Sequence, residues 1–278
     1  MKLLAHQEDS KQFLLDKKRA ILADQPRVGK TLPTAAAAAM HLPAIVVCPS
    51  IAKTVWERAF NVINPDLKVT VINGKQEAQA IARCDVVVIN YDVVQHVTPT
   101  IYNKFCTLVL DESHRTKSPD AKRTKVCMAM MREIERVYAL SGTPIPNRPI
   151  ELWPLLNGLG IYRNGYYEFA ARYARMWKAP WGLDVSGSSN LPELKALMQP
   201  HVLRRRKEDV FTDYNEPSRF SKRSTTCVRA SFGHAPRCLI SIRKYSAPIP
   251  QCIGVSLKPS HSRTCAAPCA RCAPPPPT

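Results

Sequence analysis

The sequence lacks the features that mark secreted or membrane-spanning proteins. The longest apolar run before His6 has three residues, Leu3 to Ala5, which is too short for the core of a secretory signal. The richest apolar stretch, from Pro33 to Cys48, is interrupted by His41 and Pro43 before it reaches the roughly 18 residues of a membrane span. We therefore expect a cytoplasmic protein with no membrane partner.

Acidic residues are missing from the last part of the chain, because all 22 Asp and Glu lie at or before Glu216. Of the formal charge of +18, residues 1–216 carry +8, from 30 lysines and arginines against 22 acids. The other 62 residues carry +10, with six of the ten cysteines and no sustained periodicity. We expect little stable structure over 212–278. An out-of-frame or truncated coding sequence would explain the change, and a basic nucleic-acid arm or a zinc site is a weaker alternative.

What the sequence does have, from Lys2 to about Val210, is apolar runs alternating with helical patterns. Runs rich in β-branched residues predict strands at 44–49, 69–72, 85–90, 107–112 and 136–142. The helical patterns are Thr31–Met40, Ile51–Asn61, Gln76–Arg83, Ala121–Arg132, Ile150–Leu156, Tyr166–Trp177 and Leu191–Met198. Strands joined by crossover helices predict an α/β fold, with a parallel sheet flanked by helices and an irregular C-terminal tail.

The stretch ILADQPRVGKT predicts a phosphate site, because it places a strand, a loop and the start of an Ala-rich helix in that order. A helix N-terminus presents unpaired N–H groups, Lys30 can reach the β and γ phosphates, and the Thr31 hydroxyl can bind magnesium. The full pattern has glycine five residues before Gly29, where this chain has Asp24. On this string alone, a solvated loop is an equal alternative.

A second string, LVLDESH, ends an apolar strand in two adjacent carboxylates. Asp111 and Glu112 then lie at the carboxyl edge of a parallel sheet, where ligands bind in such folds. Asp111 can hold magnesium through water, and Glu112 can orient the attacking water. A solvated acid pair is the alternative, which the GKT string about 80 residues earlier disfavours.

Taken in order, the motifs between residues 3 and 210 resemble those of the SWI/SNF-type ATPases of helicase superfamily 2, with the bacterial or phage members closest. SGTPIPNRPIELW (141–153) is the most specific string, beside LLAHQ, the phosphate loop, the DExH box LVLDESHRTKS and the basic VLRRRKEDV. The resemblance implies a RecA-like P-loop ATP-binding lobe over 1–160 and a helical extension with a basic brace over 161–211. The low-order tail would follow at 212–278.

The resemblance also implies roles for individual residues in a motor that uses ATP and Mg²⁺ and moves on double-stranded DNA. The catalytic residues are Lys30, Asp111 and Glu112, and Thr31 and Asp111 bind Mg²⁺. The nucleotide is held by Gln7, which reads the base, and by Arg27, Val28, Gly29, Lys30 and Thr31. The DNA-side or coupling residues are Pro49, Ser50, Asn90, Tyr91, Ser141, Gly142, Thr143, Arg204, Arg205 and Lys207.

Two departures from the family pattern affect these expectations. Gln25-Pro26-Arg27 stands where the family usually has Glu-Met-Gly, so nucleotide affinity could differ. Nothing after Val210 resembles the second lobe, whose arginine completes the site and is worth about 10³–10⁵ in turnover in related enzymes. We therefore expect hydrolysis to need a second RecA-like lobe in cis or in trans. The alternatives are an incomplete ATP- and DNA-binding fragment and an RNA-directed helicase of the same superfamily.

Overall fold

The computed structural model describes residues 2–74, 81, 84–142, 148–180 and 182–211. Its strands are β1 Arg19–Leu22, β2 Ala44–Cys48, β3 Val69–Ile72, β4 Val86–Asn90, β5 Thr107–Leu110, β6 Arg136–Leu140, β7 Trp177–Ala179, β8 Gly182–Asp184 and β9 Val202–Leu203. Within these ranges, seven strands form one sheet in the order β3-β4-β2-β5-β6-β1-β9, and every pair is parallel. Strands β7 and β8 form a separate antiparallel hairpin.

Helices lie on both faces of this sheet. They are α1 Ala5–Lys17, α2 Thr31–Ala39, α3 Lys53–Ile63, α4 Tyr91–Val94, α5 Pro99–Tyr102, α6 Lys122–Glu133, α7 Trp153–Gly158, α8 Tyr166–Tyr173, α9 Leu191–Met198 and α10 Lys207–Val210, with 3-10 turns at Ser50–Ala52, Ser113–Thr116, Pro149–Leu152 and Gln199–His201. Within the described ranges, no helix is both long and apolar enough to traverse a lipid bilayer.

The central strands are apolar along their whole length because both faces of the sheet are covered. Every residue of β2, β4 and β5 is buried. Ile45 and Val47 of β2 pack into a core shared with α6, α7 and α8, whereas Val46 and Cys48 pack into a second core with α1, α2 and α3. These two layers of helices around a parallel sheet confirm the predicted α/β class.

The structure differs from the predicted elements where the local backbone changes direction. The predicted helix Tyr166–Trp177 ends at Tyr173, because Arg175 takes a left-handed conformation with φ of 47°, and Trp177 begins β7 instead. The short strand β9 was not predicted, since two residues show no period. The predicted helix Gln76–Arg83 falls almost entirely, and the tail 212–278 entirely, outside the described residues. The boundary at residue 160, between the predicted lobe and its helical extension, stays a prediction. Strand β9 lies beyond that boundary and belongs to the main sheet.

Because the seven strands are parallel, their carboxyl ends meet at one edge of the sheet. The phosphate loop (residues 23–30) leaves β1 at this edge and leads into α2. Asp111 follows β5 and Ser141 follows β6, the two strands next along the sheet from β1. Strand β1 starts 88 residues before β5 and 117 residues before β6, and the topology still brings the ends of all three strands to one edge, as the parallel pattern predicted.

Candidate nucleotide-binding site

The phosphate loop contains two residues in the left-handed region. Arg27 has φ of 71° and Gly29 has φ of 97°. The conformation of Gly29 favours glycine, and a Cβ atom there would lie 2.7 Å from Nε2 of Gln7, so any side chain would also displace Gln7. Arg27 is exposed and adopts a conformation that is uncommon for a residue with a side chain.

Helix α1 holds this loop through its first turn. The Gln7 side chain is buried, its Nε2 donates to the Gly29 carbonyl at 3.2 Å, and its Oε1 accepts from the Leu4 N–H at 3.1 Å. Nε2 of His6 lies 3.1 Å from the Val28 carbonyl oxygen. Gln7 therefore positions Gly29, and base reading by Gln7 stays a prediction.

Lys30 ends the phosphate loop and lies within electrostatic range of the acid pair. Its Nζ donates to the carbonyl oxygens of Asp24 at 2.7 Å and Gln25 at 3.3 Å. Burial lowers the pKa of Lys30, and the charges of Glu112, Asp24 and Asp111 act in the opposite direction. The lysine ammonium and the two carboxylates of the DExH box thus share one electrostatic environment.

Asp111 is fixed by three neighbours at the end of β5. Its N–H donates to the Val47 carbonyl at 2.8 Å, the Tyr91 hydroxyl donates to its carbonyl at 2.8 Å, and Trp56 Nε1 donates to its Oδ2 at 2.9 Å. Burial raises the pKa of Asp111, while the Trp56 hydrogen bond and the Lys30 charge lower it. The carboxylate is therefore oriented before any ligand is bound.

Glu112 begins the 3-10 turn Ser113–Thr116 in a left-handed conformation, with φ of 51° and ψ of 53°. Its Oε2 lies 3.3 Å from Nδ1 of His114. A non-glycine residue in this region costs of order 1–3 kcal/mol, and such residues cluster at functional sites.

The SGT motif contacts the phosphate loop directly. The Ser141 N–H donates to the Leu22 carbonyl at 3.2 Å, which ties the ends of β6 and β1 together. A Cβ atom at Gly142 would lie 2.9 Å from Cγ of Pro26. Ser141 and Gly142 therefore lie against the end of β1 and the phosphate loop, and their coupling role stays a prediction; Thr143 lies outside the described residues.

The other predicted DNA-side residues differ in exposure. Pro49 is buried, and Ser50 is exposed after β2. Asn90 and Tyr91 are buried, with 7% and 1% of their surface exposed. Because the Tyr91 hydroxyl bonds to Asp111, its geometry favours coupling over surface contact with DNA, and a DNA-side role for either residue stays a prediction.

The residues of the basic brace also differ in exposure. Arg204 is exposed, whereas the Arg205 side chain is only 16% exposed and forms an ion pair of 2.7 Å with Asp24 of the phosphate loop. The Lys207 N–H donates to Gln25 Oε1 at 3.0 Å. Arg205 is thus directed toward the phosphate loop and α1, whereas Arg204 is directed toward solvent.

Comparison with known proteins identifies the family of this chain. A model of the SNF2-related domain matches residues 6–224. The chain belongs to this family. It is 32% identical over 213 residues to the SWI/SNF-related matrix-associated actin-dependent regulator of chromatin subfamily A-like protein 1 of Xenopus laevis, covering 73% of this chain and 22% of that relative. It is 29% identical over 228 residues to the DNA annealing helicase and endonuclease ZRANB3 of Bos taurus, covering 76% and 21%.

A solved structure agrees with the family. The Sulfolobus solfataricus SWI2/SNF2 ATPase core in complex with dsDNA is similar with a TM-score of 0.62 and 25% identity, covering 75% of this chain and 45% of that one. The family resemblance predicted from the motifs is confirmed, and the likeness to bacterial or phage members stays a prediction. The chain spans about a fifth of the length of the Xenopus laevis and Bos taurus relatives.

Two residues of this SNF2-related domain were missed as parts of the site. Trp56 could have been found as a helical indole that needs an acceptor in an apolar core. Asp24 could have been found as a lone acid in an otherwise apolar strand-to-loop stretch. Neither signal names the partner, which is 55 residues away for Trp56 and 181 residues away for Asp24.

Replacing Trp56 with phenylalanine is expected to move the acidic limb of Mg·ATP binding to higher pH. The hydrogen bond from Trp56 lowers the pKa of Asp111, so its loss lets burial raise that pKa further. Magnesium needs the ionised carboxylate, so binding should weaken first at mildly acidic pH and little at pH 8. Titration of a fluorescent ATP analogue across pH tests this, with Trp153→Phe, which loses a bond to the Asn164 carbonyl, as the control. Identical profiles for both variants would contradict it.

Gly142→Ala is expected to lower the free energy of unfolding by about 1–3 kcal/mol, since the new methyl group would overpack against Pro26. In a Pro26→Ala background, where Cγ and Cδ are gone, the same change should cost less. Chemical denaturation of the four proteins gives the coupling between the two positions. Equal costs in both backgrounds would mean that the contact is unimportant.

Proposed function

We propose that this chain is the ATP-binding lobe of a DNA-dependent ATPase that moves on double-stranded DNA. The observation that carries the proposal is the shared electrostatic site of Lys30, Asp111 and Glu112 at the carboxyl edge of the sheet. A cation at the start of a helix and a facing acid pair are the two halves of a site for a magnesium triphosphate. Membership of the SNF2-related family supports the same function.

The residues fit ATP and magnesium by their chemistry. The N-terminal amides of α2 and the Lys30 ammonium would hold the β and γ phosphates. Thr31 offers a hydroxyl and Asp111 a carboxylate, and Mg²⁺ is commonly held by one or two such oxygens together with substrate phosphates. Bound magnesium would neutralise charge that develops on the phosphates. Glu112, presented by its left-handed turn, would orient the attacking water.

Double-stranded DNA is the proposed partner. The formal charge of +8 over residues 1–216 favours phosphate contacts, and Ser50 and Arg204 are exposed near the carboxyl ends of β2 and β9. The solved SWI2/SNF2 core of similar fold is in complex with dsDNA. We therefore propose a DNA-associated protein of the cytoplasm. Competition between duplex DNA and duplex RNA for the full chain tests this, and preference for RNA would indicate an RNA-directed helicase instead.

Hydrolysis is proposed to need a second RecA-like lobe, in cis or in trans. The full chain alone should bind Mg·ATP and turn it over slowly, because the arginine that stabilises charge on the γ phosphate comes from that lobe. Steady-state phosphate release, with and without duplex DNA, tests this. Fast turnover by the chain alone would refute the need for a second lobe. Absence of magnesium-dependent ATP binding would refute the proposed function itself.

A further inference from the structure

The phosphate loop contains an acid that is almost completely buried. Asp24 has a side-chain exposure of 2%, and a buried carboxylate is costly unless it is paired and hydrogen-bonded. Its partner is Arg205, which is 181 residues further along the chain. Arg205 Nη2 donates to Oδ2 at 2.7 Å, Nε donates to Oδ1 at 3.3 Å, and the Arg205 N–H donates to Oδ1 at 2.9 Å.

The same guanidinium also binds helix α1. Its Nη1 donates to the His6 carbonyl at 2.5 Å, and its Nη2 donates to the hydroxyl of Ser10, which is itself buried. Arg205 therefore joins the phosphate loop to the helix that carries Gln7. The planar fork of arginine suits this task, because one group can serve several acceptors in fixed directions.

The backbone around Arg205 continues the sheet beside the loop. Strand β9 pairs with β1, and the Ala23 N–H then donates to the Leu203 carbonyl at 2.7 Å. The Gln25 N–H donates to the Arg205 carbonyl at 3.0 Å. Lys30 Nζ in turn donates to the carbonyl of Asp24. Any shift of Asp24 would therefore move an anchor of the phosphate-binding lysine.

We propose that Arg205 is a positioning residue for the nucleotide site. Together with Asp24, Arg205 holds the phosphate loop against α1 and so keeps Lys30 and Gln7 at a fixed distance from each other. This inference rests on the proposed function, since it assigns the pair to the same nucleotide site. It replaces a DNA-side role for Arg205, whose donors are already directed into the fold. Arg205, predicted as a DNA-side or coupling residue of the basic brace, thereby becomes part of the ATP site.

The test measures Mg·ATP affinity and thermal stability of the full chain with a fluorescent ATP analogue. Arg205→Ala leaves Asp24 buried without its cation and should reduce both. The double variant Asp24→Leu/Arg205→Met removes the pair together, keeps the net charge, and replaces it with apolar side chains, which often preserves or raises stability. Its melting temperature should recover, while its affinity should stay about tenfold or more below wild type.

Arg206→Ala is the matched control, since Arg206 is exposed, adjacent and of the same charge, and it should bind as wild type does. If the double variant recovers affinity together with stability, the pair is only structural and the inference is wrong.

If the double variant does not fold, the Mg·ATP affinity of Arg205→Lys tests the inference instead. Lysine keeps the charge beside Asp24 but cannot also reach His6 and Ser10, so reduced affinity in a folded protein supports the inference and wild-type affinity overturns it. If wild type and Lys30→Ala bind ATP equally, the proposed function fails instead.

Discussion

Replacing Lys30 with alanine is expected to weaken Mg·ATP binding by about tenfold to 100-fold while the protein stays folded. The ammonium is the cation at the start of α2, and its loss removes charge-assisted hydrogen bonds to the phosphates. The fold should tolerate the change because Lys30 Nζ donates its hydrogen bonds to the backbone carbonyls of Asp24 and Gln25, within its own loop. Titration with a fluorescent ATP analogue measures the effect.

Lys17→Ala is the matched control for this variant. Lys17 is exposed in the last turn of α1, so its removal changes net charge equally without touching the loop. Thermal melting of both variants separates lost binding from lost folding. Undiminished affinity in Lys30→Ala would show that the loop does not hold phosphates.

The second large effect is expected from Glu112→Gln, which should lower ATP turnover by about 10²–10⁴ with binding nearly unchanged. Glutamine keeps the shape of the side chain and removes the charge that would orient and activate the attacking water. Phosphate release is measured with duplex DNA, under single-turnover conditions with protein in excess where steady-state turnover is slow. Glu133→Gln, an exposed acid at the end of α6, is the control. Equal turnover in wild type and Glu112→Gln would remove Glu112 from the chemistry.

The three unusual residues of the phosphate loop each have a structural partner or role. Gln25 accepts a hydrogen bond from the Lys207 N–H, Pro26 packs beside Gly142, and Arg27 takes the left-handed conformation for which the family commonly supplies glycine. Each departure from the family pattern is therefore accommodated in this chain by a contact or by a backbone conformation. Their effect on nucleotide affinity stays a prediction that the binding experiments measure.

The sheet and the acid pair were predictable because their signals are local. Strands β2, β4 and β5 are buried on both faces, so apolar runs identify them directly, and a parallel sheet then fixes the edge where Asp111 lies. The strand, loop and helix of the phosphate loop are also contiguous in the chain, but that string alone left a solvated loop as an equal alternative, and the acid pair was needed to favour a phosphate site.

The rest depended on contacts between distant segments. A run such as RRRK predicts exposed charge, and only the pairing of β9 with β1 turns Arg205 inward toward Asp24. Strand β9 itself has two residues and carries no period. Burial of Trp56 follows from its apolar neighbours on α3, but the direction of its N–H toward Asp111 follows only from the packing of that helix.

The most direct test is a crystal structure of the full chain with Mg²⁺ and a non-hydrolysable ATP analogue. The account predicts a single nucleotide at the carboxyl edge of the sheet, with Lys30 Nζ on its terminal phosphates and Asp111 facing the magnesium through water. A nucleotide bound elsewhere, or one that contacts Lys30 while Asp111 and Glu112 remain directed away from it, would contradict the account.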